Sequence, residues 1–189
     1  MRAILVALLA GCALTSKSAP LEVRYFAPPV HPVSQIHRAV PVHAPLQLGR
    51  VAPSALLRSR IVYRESPVEV APYDTLRWTD EPDAYVRRSL SRALYDGQPL
   101  EQVLAGTAPT LDVDVLAFEE VKRGARSAGR VELRYQLHDD QRVLDHGTVV
   151  IERDATAPGI EGVVGAIGDA LDSATAEVAE RVAARICPE

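Results

Sequence analysis

The sequence predicts an α+β domain, a single mixed, antiparallel-rich sheet packed by a mid-chain helix and a long C-terminal helix. Three observations predict it. Residues 111–115 and 131–137 alternate strictly between apolar and polar, the period of a half-buried strand. Residues 82–94 and 160–186 instead repeat their apolar side chains at helical spacing. The two kinds of segment follow one another irregularly, which gives a mixed sandwich rather than a pure helix or strand fold.

Each element can be justified in turn. Residues 23–26 predict a first strand. Residues 27–45 then hold Pro28, Pro29, Pro32, Pro41 and Pro45. Proline fixes φ and removes a ladder donor, so this stretch reads as an extended loop. Residues 46–51 predict a strand and residues 53–57 a turn. The β-branched and aromatic run Ile61, Val62, Tyr63, Arg64 predicts another strand. Val68, Val70 and Tyr73 follow, where Pro67 and Pro72 confine any strand to a sheet edge. Leu76, Arg77 and Trp78 suggest a brief further pairing.

The mid-chain helix has start and stop signals. Thr79 or Asp80 is the expected cap, Glu81 and Asp83 suit its positive end, and Pro82 suits the first turn. Val86, Leu90, Ala93 and Leu94 mark its apolar face, and Asp96-Gly97 ends it. A short element over residues 99–104 and a turn over 106–109 precede the strand at 111–115. Residues 122–129 read as a polar, mobile link. Residues 129–152 read as an antiparallel hairpin turning at residues 139–142. In the last helix, Ile160, Val163, Val164, Ile167, Leu171, Ala174, Val178, Val182 and Ile186 form the stripe. Glu161, Asp169, Asp172, Glu180 and Arg181 interrupt the rest, which argues against a membrane span.

Composition narrows the function classes. The chain has 189 residues, 47% of them hydrophobic and 24% charged, as in a globular domain. Its net charge is only -4 and it has no Lys/Arg run, so nucleic acid is not an expected partner. Aromatics at 5% also offer little surface for stacking bases. Two cysteines, Cys12 and Cys187, provide no disulfide framework. Cys187 reads as an inert thiol.

The N-terminus carries the most specific signal. Arg2 precedes a short apolar run that ends in Leu9-Ala10-Gly11-Cys12. A charged start, an apolar centre and small residues at a cut are the parts of a secretory signal. The run falls short of the ~20 residues a bilayer span requires. Cleavage between small residues, with Gly11 and Ala13 as the pair, is the competing reading. LAGC resembles a bacterial lipobox, in which the cysteine thiol is diacylated and the new amine is acylated after cleavage. Under that reading residues 1–11 are a lipoprotein signal peptide, 12–22 a lipidated tether and 23–187 a single domain. The lipid on Cys12, palmitate or a similar acyl chain, is the only attached group expected. Each buried methylene contributes about 0.8 kcal/mol, so two or more chains anchor stably. Ala13 is not the aspartate usually linked to inner-membrane retention, which favours the outer membrane.

No residue pattern amounts to an active site, and no catalytic residue is assigned. His31, His37 and His43 are six apart, which suits neither the three-or-four spacing of a helix nor the two of a strand. They read as solvated loop histidines, with no metal site. Gly159, Gly162, Gly165 and Gly168 recur every third residue, but lack the G-x-G-x-x-G order and the Lys-Ser/Thr of a phosphate loop. They read as a surface for close helix packing. Asp112 and Asp114 share a solvent face, and Glu119 and Glu120 after them are expected to be solvated too. Asp139 and Asp140 are turn formers near His138 and His146.

One stretch is more telling than any catalytic motif. It runs from Val51 through Ile61-Val62-Tyr63-Arg64 to Val68-Glu69-Val70, Tyr73 and Arg77-Trp78-Thr79-Asp80-Glu81-Pro82. This resembles the ABC-type transport auxiliary lipoproteins, in which an I-x-Y-R-like strand precedes a tyrosine, an R-W pair and an acidic-proline helix start. The resemblance implies a non-enzymatic auxiliary or docking subunit of an envelope transport system for lipids or hydrophobic compounds. Its implied partners are an MCE-domain protein, an ABC permease and an ATPase, with a homo-oligomer also open. Arg64, Arg77 and Trp78 are then the candidate partner-binding residues. Trp78 also has a structural reading, as an anchor of the helix on the sheet. The alternative from a different class is an envelope-assembly or polymer-export scaffold.

Overall fold

A computed structural model describes residues 21–29 and 44–187. Among these residues eight strands form one mixed sheet and two helices cover one of its faces. The strands are β1 (Arg24–Phe26), β2 (Ala44–Pro53), β3 (Arg60–Ser66), β4 (Glu69–Trp78), β5 (Leu100–Gln102), β6 (Thr110–Arg123), β7 (Arg126–His138) and β8 (Val143–Asp154). The helices are α1 (Pro82–Tyr95) and α2 (Gly159–Ile186). The expected α+β class is the class observed.

The sheet is organised around β6. Its one edge pairs antiparallel with β7, which pairs antiparallel with β8. Its other edge is shared end to end. β2 runs parallel to the first half of β6, from Gln47 opposite Thr110 to Pro53 opposite Val115. β3 runs parallel to the second half, with Val62 opposite Glu119 and Arg64 opposite Val121. β4 and then β1 extend the sheet beyond β3.

The core lies between the sheet and the helices. Leu90, Leu94, Leu111, Leu133, Leu137 and Ile167 are fully buried there. Burial of each such side chain stabilises by about 1.5–3 kcal/mol. Ser89 and Thr175 join the two helices by a buried hydroxyl–hydroxyl bond of 2.9 Å. Gly129 on β7 lies directly beneath α2. A Cβ there would come within 2.3 Å of the Ile167 nitrogen, so only glycine permits this approach.

Several expectations need correction. Residues 122–129 are not a mobile link. β6 and β7 continue through them, and the turn is only Gly124-Ala125, with Gly124 in the left-handed region at φ 64°. The glycines of α2 do not bring it onto the sheet. Gly165 faces open space, Gly168 meets Pro29, and Gly162 meets the Ala157 carbonyl, whereas the sheet contact belongs to Gly129. Neither Thr79 nor Asp80 caps α1. Its N-cap is Glu81, with no side-chain cap bond. Thr79 bonds the Tyr85 hydroxyl at 2.7 Å and Asp80 pairs with Arg88 at 2.9 Å. Pro45, expected in the loop, already belongs to β2. Residues 69–78 form one strand, with Pro72 on the stretch that β3 alone flanks. That is where a missing donor costs least.

Candidate functional site

The bulge near Leu116 sets up the polar chemistry of the molecule. Val115 lies opposite Leu133, but Ala117 lies opposite Glu132, so the register shifts between them. One extra residue reverses which face each later side chain takes. Phe118 therefore joins the core, where it stacks on Tyr85 and meets Trp78 edge-on. Glu119 and Glu120, expected to be solvated, are only 2% and 5% exposed. They point to opposite faces of the sheet.

Glu120 faces the helix side. It accepts hydrogen bonds from the Tyr73 hydroxyl and from Ser127 Oγ, each at 2.5 Å, one on each carboxylate oxygen. Burial, and then the bond to Glu120, push the Tyr73 hydroxyl well above the ordinary tyrosine range. Tyr73 packs on Tyr63 at 4.6 Å between ring centroids, and Lys122 lies 3.6 Å from the Tyr63 ring centre. A pocket of about 460 Å³ opens beside this cluster, lined by Tyr73, Glu120, Ser127, Ala155, Ile160 and Val163 among others. Two hydroxyls donate to one carboxylate here, an arrangement that locks β4, β6 and β7 together.

Glu119 faces the helix-free side and accepts from Arg64 Nε at 2.6 Å. Arg64 also donates to the Pro67 carbonyl, which ties down the β3–β4 hairpin. The pair belongs to a lattice across this open face. Arg134 and Arg50 both hold Asp114, at 2.8 and 2.9 Å. The Arg134 hydrogen bond is the main cause that keeps the Asp114 carboxyl below the usual carboxylate range. Arg130 spans Glu132 and Glu152, Arg123 also reaches Glu152, and His138 lies 3.4 Å from Asp112. The charges of this face alternate in sign, a surface suited to orienting a protein partner.

Arg64 thus sits in this lattice. Arg77 folds back on its own strand and donates to the carbonyls of Tyr73, Asp74 and Leu76. Trp78 is 2% exposed and packs edge-on against both Tyr85 and Phe118, which fits its other reading, an anchor of α1 on the sheet, and leaves little of it to offer a partner. Cys12, the tether through residue 20, and His31, His37 and His43 lie outside the described residues. Cys187 is half-buried with Sγ 3.9 Å from the Pro99 carbonyl. Among the described residues no cluster of His, Cys, Asp and Glu is placed to hold a metal, and no helix is long and apolar enough to cross a membrane.

Sequence reasoning missed Tyr73, Glu120 and Ser127 as a unit, and the burial of Glu119 on the other face. The available signal was Phe118. It breaks the alternation of Leu111, Val113 and Val115 by one residue, as a bulge does.

Comparison with known proteins agrees on fold and family. No curated protein matches the chain. The crystal structure of protein XCC0632 from Xanthomonas campestris is similar at a TM-score of 0.73 and 22% identity, over 86% of this chain and 96% of that one. The hypothetical protein CT253 from Chlamydia trachomatis is similar at a TM-score of 0.56 and 10% identity, over 78% of this chain and 100% of that one. At these identities the two structures speak for the fold alone. The family model of the ABC-type transport auxiliary lipoprotein component matches residues 27–179, which takes in β2 to β8, both buried glutamates and most of α2. The chain therefore belongs to the family of ABC-type transport auxiliary lipoprotein components.

Proposed function

We propose that this protein is the lipid-anchored docking subunit of an MCE-type ABC system that moves lipids or other hydrophobic compounds across the cell envelope. The observation that carries the reading is the family match over residues 27–179, directly downstream of the Leu9-Ala10-Gly11-Cys12 lipobox. Acyl chains on Cys12 hold the domain at a membrane facing the periplasm, with the outer membrane favoured by Ala13. The domain contributes protein contacts, through the helix-free sheet face with its alternating charges. Transport chemistry belongs to its partners, the MCE-domain protein, the permease and the ATPase.

Two measurements test this. Cys12→Ala should abolish fatty-acid labelling and release the protein from membranes; labelling that persists in the variant removes the anchor. Affinity purification of the full chain from detergent-solubilised envelopes should bring down MCE-domain, permease and ATPase subunits. Polymer-export proteins in their place would replace the docking role with that of an assembly scaffold.

A further inference from the structure

We propose that the chain forms a two-fold dimer in which β8 pairs antiparallel with β8 of a second copy, with Val149 opposite Val149. β8 is a 12-residue strand that, among the described residues, pairs on one side only, with β7. Its centre, residues 147–151, is the uncharged and β-prone Gly-Thr-Val-Val-Ile. The strand has no proline or lysine, two residues that commonly blunt free edges. Val150, on the open sheet face, is 46% exposed.

The backbone restricts the register. Ala155, just past β8, donates its N–H inward to the Ser127 carbonyl of β7. Leu144 turns its carbonyl away from β7, toward Arg185 of α2. Strand groups alternate in direction, so His146, Thr148, Val150 and Glu152 present their N–H and C=O groups outward. Outward groups must meet outward groups, so a symmetric antiparallel pairing has to be centred on a single residue.

Charge then selects among the centres. With Val149 on the axis, Asp145 lies opposite Arg153 and His146 opposite Glu152, each pair occurring twice. Thr148 then covers Val150. Centring on Thr148 instead sets Val143 against Arg153 and Leu144 against Glu152. Centring on Val150 sets Thr148 against Glu152 and Gly147 against Arg153. Of these, the Val149 register is the one that sets Asp145 against Arg153 and gives Glu152 the His146 ring as a neighbour. It forms about eight new backbone hydrogen bonds, two from each outward-facing pair. The Arg185 contact to Leu144 marks where pairing stops. The chosen side chains keep local partners as well: Asp145 accepts from Tyr135, Arg153 donates to Ser173, and Glu152 meets Arg123 and Arg130. β1, where the chain enters the domain, lies at the opposite edge of the sheet, so an anchored N-terminus leaves β8 accessible.

The test uses the full acylated chain in detergent, with Cys187→Ser to remove its remaining thiol. Sedimentation velocity should give a dimer mass at micromolar concentration; a monomer at the highest soluble concentration overturns the proposal. Opposed backbone-bonded residues lie about 5.5 Å apart, within disulfide reach. Thr148→Cys chains mixed with Val150→Cys chains should therefore cross-link about tenfold faster than either alone. Fast cross-linking of Thr148→Cys alone, or of Val150→Cys alone, indicates another centre and overturns the register. Asp145→Arg and Arg153→Asp should each weaken the dimer about tenfold, since each substitution breaks both symmetry-related copies of the pair. The double variant should recover it. A double variant as weak as the singles also overturns the register.

Discussion

The two halves of β6 each carry a pair of carboxylates and give them opposite fates. Before the bulge, Asp112 and Asp114 stand on the open face, and Asp114 is held by two largely exposed arginines. After it, Glu119 and Glu120 are buried on opposite faces, one held by an arginine and the other by two hydroxyls. The flanking strands differ as well. β2 lies beside the first half, while β3, backed by β4, lies beside the second. Whether a carboxylate is solvent decoration or an internal fastener is thus decided by one inserted residue and the strands around it, and not by the local sequence.

Three substitutions test that contrast, beginning with the largest effect. Gly129 lies opposite Glu120 in the β6–β7 ladder and directly under α2. Gly129→Ala forces Cβ into the helix backbone, and overpacking of this kind costs about 3 kcal/mol. A urea midpoint unchanged from wild type would show that α2 does not need this approach. Glu120→Ala is expected to cost about 2 kcal/mol, because two hydroxyls lose a charged acceptor. It carries a pH signature. Tyr73 is raised in the folded state, so its contribution to stability is full below the ordinary tyrosine value and is lost as pH rises through the folded value. In Glu120→Ala this alkaline loss should shrink, as read by thermal melts across the alkaline range. An unchanged alkaline limb would uncouple the two residues.

Asp114→Ala should change stability least, by under about 1 kcal/mol, because its arginines are exposed and screened. The folded Asp114 carboxyl is depressed, chiefly by Arg134, so its contribution is present above the unfolded carboxyl range and fades as pH falls through the folded value. Added salt should erase most of the difference between Asp114→Ala and wild type. A loss as large as that of Glu120→Ala would remove the distinction between the two halves.

Much of the fold was legible because periodicity survives wherever a strand or helix has one buried face. Leu111, Val113 and Val115 announced β6, and Val86, Leu90 and Leu94 announced the inner face of α1. The β6–β7 turn was hidden because its one clear marker, Gly124, sits among Lys122, Arg123 and Arg126, which read as linker. The glutamate cluster was hidden because Tyr73, Glu120 and Ser127 come from three strands, and only the completed sheet brings them together. Trp78 sat within a family-like motif, yet its bulk serves the core. Arg64 was singled out for a contact with another protein, and its partner within the chain, Glu119, lies 55 positions away in sequence.

The tandem seating of β2 and β3 along one edge of β6 has a consequence for how the chain reaches its folded state. β2 has its main neighbour only when residues 110–123 arrive, and β3, though paired with β4 in a local hairpin, keeps a free second edge until then. A chain that emerges N-terminus first therefore exposes the apolar β2 segment, for as long as it takes roughly a further sixty residues to follow. Such contacts are distant in sequence and slow to form, and unpaired strands are prone to association. The domain should depend on a holding factor during its emergence more than its modest size suggests, and β6 is the segment whose delivery ends that dependence.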